Sequence, residues 1–293
     1  MKDALLSLWS VAQPRWAGAL ALLVAAPAAT PLHGEPTPAP PPGYTLVWSD
    51  EFEREGAPDP TKWGFENGFA RNRELQWYQA ENARCEGGLL VIAARRESRP
   101  NPRHEAGSRD WRKARAKVEY TSASVTTRGL HSWLYGRIEV RARIDVRPGM
   151  WPAIWTLGVE GRWPANGEVD IMEYYKGEIL ANAFWGKVGS HQPASDVVRK
   201  PLGKFPGPHW ADAFHVWRMD WDEKEIALYI DDELINRIPI MEKQRLPGQP
   251  HPFQQPHYLL LNLAVGANGG DPTPTKFPAR FEVDYVRVYQ QLN

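Results

Sequence analysis

YGRIEVRARIDV, residues 135–146, alternates apolar and polar side chains along its length. A period of two puts Ile138, Val140, Ala142 and Ile144 on one face and Arg137, Glu139, Arg141 and Arg143 on the other, which is the pattern of a half-buried β-strand. The same alternation returns in GLLVIAARR (88–96), HVWRMDW (215–221), EIALYIDDELI (225–235) and FEVDYVRVYQ (281–290). Between these segments stand RPGMWP, DDE and GANGGDPTP, whose Gly, Pro and Asp residues are turn chemistry. No capped run of helical periodicity exceeds two turns. Strands with one apolar face need a second sheet to cover it, so the pattern predicts an all-β antiparallel sandwich or jelly roll. HYLLLNLAVGANGG (257–270) departs from alternation and reads as a central strand buried on both faces, in which Asn262 is the polar group that needs a partner.

Of the 293 residues 42% are hydrophobic, enough for a large core, and 35 basic side chains balance 35 acidic ones. Zero formal charge argues against a nucleic-acid partner and removes the electrostatic case for an anionic membrane or polyphosphate surface. A neutral substrate fits better. Near the N-terminus Lys2 and Arg15 precede the apolar run AGALALLVAA (17–26), which is followed by the Pro-rich TPLHGEPTPAPPPG (30–43). We read 1–30 as a secretory signal, 31–43 as a linker and 44–293 as one large β domain, expected to act as a secreted or periplasmic, bacterial-type monomer with no membrane attachment in the mature form. The apolar run is short for a retained membrane anchor, the alternative. Cys85 is the single cysteine, which excludes an intrachain disulfide framework. The eight histidines show no metal-binding spacing, and no G-x-S-x-G nucleophile elbow or phosphate-cradling loop occurs.

The chemistry concentrates in GEVDIMEYY (167–175), which holds Glu168, Asp170 and Glu173. On a regular strand Glu168 and Asp170 share a face and Glu173 opposes them. A β-bulge at Met172 would restore the phase and project all three together, leaving Val169 and Ile171 for the core. Three carboxylates on one face repel, so at least one pKa should rise and a proton be shared. Paired carboxyls about 5 to 5.5 Å apart are the equipment of a retaining glycosidase, one the nucleophile and one the acid and then base. A solvated acidic face or a calcium site is the bland alternative. Just upstream, GMWPAIWTLG (149–158) carries Trp151 and Trp155 four apart, on one face of a strand, where an indole offers a platform for a sugar ring or simply core.

With these segments read, the chain resembles glycoside hydrolase family 16 in its laminarinase-like (endo-β-1,3-glucanase) branch. WSDEF (48–52), NRELQWY (72–78), GGLLVIAAR (87–95), YTSASVTT (120–127), YGRIEVRAR, GMWPAIWTLG, GEVDIME and VDYVRVYQ (283–290) occur in the family's order. E-x-D-x-x-E is modestly specific alone and strong beside W-P-A-x-W and D-Y-V-R-V-Y. The resemblance implies a concanavalin A-like jelly roll of two curved antiparallel sheets with a concave substrate cleft. It implies Glu168 as nucleophile, Asp170 as its electrostatic assistant and Glu173 as acid/base. Asn72 and Glu74 match sugar-binding positions, Trp151 a sugar-stacking one, and Gln255 and Asn262 fall in a segment that commonly lines the cleft. No cofactor serves the chemistry; a structural calcium ion would use Glu53, the Gly88 backbone and Asp284. The chain lacks the T-x-H segment of many β-1,3-glucanases and reads ILANAFWGK (179–187), where Asn182 or Trp185 would replace that wall. The expected activity is endo-hydrolysis of a neutral polysaccharide, β-1,3-glucan first. A β-galactan (agarase, carrageenase or porphyranase type), transglycosylation, or a non-catalytic carbohydrate-binding sandwich are the alternatives.

Overall fold

A computed structural model describes residues 39–291; the expected signal segment and most of the expected linker lie outside them. In chain order the strands are β1 (Tyr44–Asp50), β2 (Gly64–Phe65), β3 (Gln76–Tyr78), β4 (Ala83–Glu86), β5 (Leu89–Pro100) and β6 (Lys117–Ser122). Then come β7 (Ser124–Thr126), β8 (Gly136–Arg143), β9 (Met150–Gly158), β10 (Glu168–Tyr175), β11 (Glu178–Trp185) and β12 (Ala194–Pro201). β13 (His215–Trp221), β14 (Glu225–Ile230), β15 (Glu233–Pro239), β16 (His257–Val265) and β17 (Ala279–Gln291) complete the order. Among the described residues, helix is limited to one turn at Trp111–Ala114, capped by the Asp110 side chain, and short 3₁₀ turns.

Ten strands form one sheet, in the order β15-β14-β13-β8-β17-β5-β6-β3 with β1 added on β17 and β4 on β5. Seven form the other, β12-β11-β10-β9-β16-β7-β2. Nearly all pairings are antiparallel; β3 with β6 is parallel. Both β8 and β13 alternate buried and half-buried residues along their whole length, as the sequence pattern requires. Their inner side chains Ile138, Val140, Trp217 and Met219 join Val169, Ile171, Met172 and Leu261 of the second sheet in one apolar cluster. On the outer face Arg137 pairs with Asp220, Arg141 with Asp284 and Arg143 with Glu282, tying β8 to its neighbours. Such part-exposed pairs contribute roughly 0–1 kcal/mol each, whereas burying one large apolar side chain contributes about 1.5–3 kcal/mol, so the inner face dominates.

Two elements sharpen the sequence pattern. The stretch 225–235 is a hairpin, not one strand, because the chain reverses at Asp231, which adopts φ 54°, a left-handed geometry that Asp tolerates. All nine residues of β16 are buried, since it lies between β9 and β7 with one face on the core and the other on the cleft floor. Ile154 of β9 is fully buried between the sheets. Ile154→Ala should therefore cost about 2–5 kcal/mol of unfolding free energy, measured by urea or guanidinium titration.

Candidate active site

β10 contains one residue more than its neighbours. Against β11 the register runs from Asp170↔Asn182 to Glu173↔Leu180, three steps against two. Against β9 it runs from Asp170↔Trp155 to Met172↔Ile154, two steps against one. The extra residue therefore falls at Ile171–Met172, the bulge that the spacing predicts. Val169, Ile171, Met172 and Tyr174 all enter the core, and Glu168, Asp170 and Glu173 all line a cavity of about 350 Å³. Without the bulge Glu173 would point inward with Val169 and Ile171. Gly167 opens the strand with φ 77°, and a Cβ there would lie 2.7 Å from Pro252 Cβ, so only glycine fits.

Each carboxylate is held. Trp163 Nε1 donates to Glu168 Oε2 at 2.7 Å, leaving Oε1 unclaimed by that indole. Trp151 Nε1 donates to Glu173 Oε1 at 2.9 Å. Asn182 Nδ2 donates to Asp170 Oδ2 and to Glu173 Oε2, both at 3.2 Å. Asn182 Oδ1 is buried without a partner, so turning the amide over would present an acceptor to a protonated Glu173. Asp170 lies between the glutamates on the same strand face, and three acceptor groups so placed call for a shared proton.

Burial is the largest cause of raised pKa at all three groups. It pushes Glu168 up to about 7, with Glu173 repulsion adding and the Trp163 bond and the Arg71 charge opposing. Asp170 stands well above the usual carboxylate range from burial and from its two charged neighbours. Burial also raises Glu173, against the Trp151 bond. Asp170, the most enclosed and flanked on both sides, is the natural holder of the shared proton.

The remaining site residues divide. Asn72, with φ 52°, and Glu74 line the cavity; Glu74 accepts from Asn72 Nδ2 at 3.2 Å and from Gln76 Nε2 at 2.7 Å. Asn262 lines it too and has its partners: Oδ1 accepts from Trp155 Nε1 at 2.7 Å, and Nδ2 donates to the Tyr78 hydroxyl at 3.1 Å. Trp151 and Trp155 share the cleft face, as expected, and both line the cavity; each is largely buried, with its indole N–H given to Glu173 and Asn262 respectively. Trp185 is not a cleft wall. The register pairs Phe184 with Glu168 on that face and turns Trp185 onto Phe253 and the core. Gln255 also lies elsewhere: it accepts from Glu160 N at 2.7 Å and donates to Asn166 O at 3.2 Å, fastening loops behind the cleft.

The calcium ligands implied by the resemblance are Glu53, the Gly88 backbone and Asp284. Asp284 gives its carboxylate to Arg141, Glu53 is exposed, and no three His, Cys, Asp or Glu side chains among the described residues gather as a metal-holding group. Sequence reasoning missed Arg71 and Trp163, both in the cavity wall. Trp163 had a signal, since it lies five residues before Glu168 in a Pro–Gly turn. Arg71 had only its place beside Asn72.

Comparison with known proteins agrees with this geometry. The profile of Glycosyl hydrolases family 16 matches residues 77–287. A β-glucanase of Rhodothermus marinus is 38% identical over 274 residues, covering 85% of this chain and 86% of that one. The laminarinase structure from Rhodothermus marinus superposes with a TM-score of 0.68 at 36% identity, covering 85% of this chain and 98% of that one. A structure from work on endo-acting O-glycanases with which human gut bacteria initiate mucin breakdown gives 0.79 at 34% identity, covering 87% and 94%.

The raised Glu168 pKa has a consequence for stability. Between its ordinary value of 4.5 and about 7 the folded chain binds more protons at this site than the unfolded chain, so stability falls as pH rises through that window. Glu168→Gln should remove the penalty. Thermal melts should show the variant more stable than wild type by roughly 4 °C at pH 8 and no more stable at pH 4.

Proposed function

The chain belongs to glycosyl hydrolases family 16 and is a glycoside hydrolase, and on that premise we propose that it is a secreted retaining endo-β-glucanase whose first substrate is β-1,3-glucan. The observation that carries the proposal is the bulged strand, which presents Glu168 and Glu173 on one face of the cavity with Asp170 between them. Two carboxyls on one face of one strand suit the close spacing of about 5 to 5.5 Å of a covalent nucleophile and its acid/base, over the wider one that leaves room for a water.

In the first step Glu168 attacks the anomeric carbon, the glycosidic C–O bond breaks, and Glu173 gives its proton to the departing oxygen. Glu173 then takes a proton from water, whose oxygen attacks the anomeric carbon and releases Glu168. The raised Glu173 pKa favours the protonated form that the first step needs, and the Trp151 bond aims the carboxyl. Trp163 and Arg71 favour the ionised Glu168 that attack requires. Asp170 relays charge between the two: when Glu168 is consumed in the ester, the repulsion it exerts is lost.

β-1,3-Glucan is put first because the laminarinase and the β-glucanase share both the fold and more than a third of their residues with this chain. A β-linked galactose-containing glycan is the second reading. Phe184 lies opposite Glu168 in the 179–187 segment, which lacks the T-x-H pattern of many β-1,3-glucanases, and the mucin-acting O-glycanase work supplies a similar structure.

Purified protein should release reducing ends from laminarin faster than from lichenan, agarose, carrageenan or mucin O-glycans; preference for mucin O-glycans would select the second reading. Early products followed by proton NMR should retain the β configuration. Glu168→Gln and Glu173→Gln should each fold and lose on the order of 10³-fold or more of kcat on an unactivated polysaccharide. Substantial turnover by the Glu168 variant would remove it as nucleophile.

A further inference from the structure

Arg71 lies between two spaces. It lines the catalytic cavity, and with Trp155 and Leu157 it also lines an adjoining groove of about 610 Å³ bounded by Phe65, Thr126, Tyr258 and Leu260. Its guanidinium sits 4.9 Å from the centre of the Trp155 ring, so a charged plane covers the indole there. Nη2 donates to both oxygens of Glu66, and Glu66 in turn accepts from Ser124 Oγ of β7 at 2.6 Å. The side chain keeps a quarter of its surface exposed, and Nε and Nη1 have no protein acceptor among the described residues.

This arrangement decides what kind of ligand the arginine suits. An isolated cation would attract an anionic substituent, but Glu66 neutralises this one at contact distance. What stays available are two N–H edges, Nε and Nη1, that point to different sides of the guanidinium, since both bidentate forks would need the Nη2 that Glu66 holds. Hydroxyls of a neutral sugar, each taking one N–H, suit such separated donors. A chain leaving the carboxylates toward β16 and β7 must pass the boundary formed by Arg71, Trp155 and Leu157 to reach the groove beyond.

We propose that Arg71 is a specificity-determining substrate contact, donating from whichever of its unclaimed Nε–H and Nη1–H edges faces the cleft to a hydroxyl of the sugar unit at the boundary between the catalytic cavity and the neighbouring groove. Glu66 and Ser124 are positioning residues that hold the guanidinium plane. The proposal rests on the polysaccharide-hydrolase reading of the site. It predicts that binding of a sugar next to the cleaved bond, not the bond-breaking step itself, depends on this side chain.

The test uses a soluble hexasaccharide made from whichever panel polysaccharide the wild type cleaves best. Arg71→Met should raise KM about tenfold with a much smaller change in kcat, and Arg71→Lys, which keeps the charge and loses the planar spread of N–H donors, should recover only part of that loss. KM values of both variants within about twofold of wild type would overturn the proposal. So would a loss confined to kcat, which would mean that Arg71 acts only through the charge of Glu168. Should Arg71→Met fail to fold, calorimetric binding of the same hexasaccharide to Glu168→Gln with and without Arg71→Lys decides: weaker binding supports the contact and unchanged binding refutes it. A wild type inactive on every polysaccharide would instead remove the underlying reading, and the proposal with it.

Discussion

One inserted residue in β10 sets the chemistry of the whole face. A pleated strand alternates strictly, so E-x-D-x-x-E would divide its carboxylates between cleft and core, and a glutamate driven into the apolar cluster would cost several kcal/mol. The extra length at Ile171–Met172 sends two consecutive apolar side chains inward and returns Glu173 to the cleft. The rest of the molecule supports that irregularity. β9 and β11 pair on both sides of it, and Asn182 and Trp151 reach from those neighbours to the displaced carboxylate.

The grouping is electrostatically costly, and the surroundings show how the cost is managed. Three half-buried to buried carboxyls on one strand face cannot all ionise near neutrality. Indole and amide N–H groups supply directed donors, Arg71 supplies one nearby cation, and the proton retained by the cluster becomes the acid of the reaction. Stability given up at the cleft is provided by the apolar faces of the two sheets. Ion pairs on the outer face of the larger sheet add little energy but keep that face polar.

Strand pattern and catalytic phase were legible in the sequence because both follow from a period of two. Alternation in 135–146 and 215–221 survives residue by residue in the burial of β8 and β13, and the misfit of Glu173 in E-x-D-x-x-E by itself implies the bulge. Asn262, anomalous in an apolar run, does hold Trp155 and Tyr78. What could not be read depends on distant packing. Trp185 and Phe184 differ by one position, and only the pairing register of β11 with β10 says which faces the cleft. Gln255 and Asn262 looked alike as polar residues near a cleft-lining segment, but one staples loops. Arg71 carries no mark of its own in the sequence; its place over Trp155 depends on Glu66, which Ser124 holds from another strand.

The central claim is that Glu168 and Glu173, brought to one face by the bulge, act as nucleophile and acid/base of a two-step displacement. It is tested most directly by trapping the covalent intermediate with a 2-deoxy-2-fluoro glycoside bearing a good leaving group, then locating the adduct by mass spectrometry of the digested protein. The account predicts one sugar esterified to the peptide that contains Glu168, at the Glu168 carboxylate. A label on Glu173 or Asp170, or turnover of the reagent with inverted product and no adduct, would contradict it.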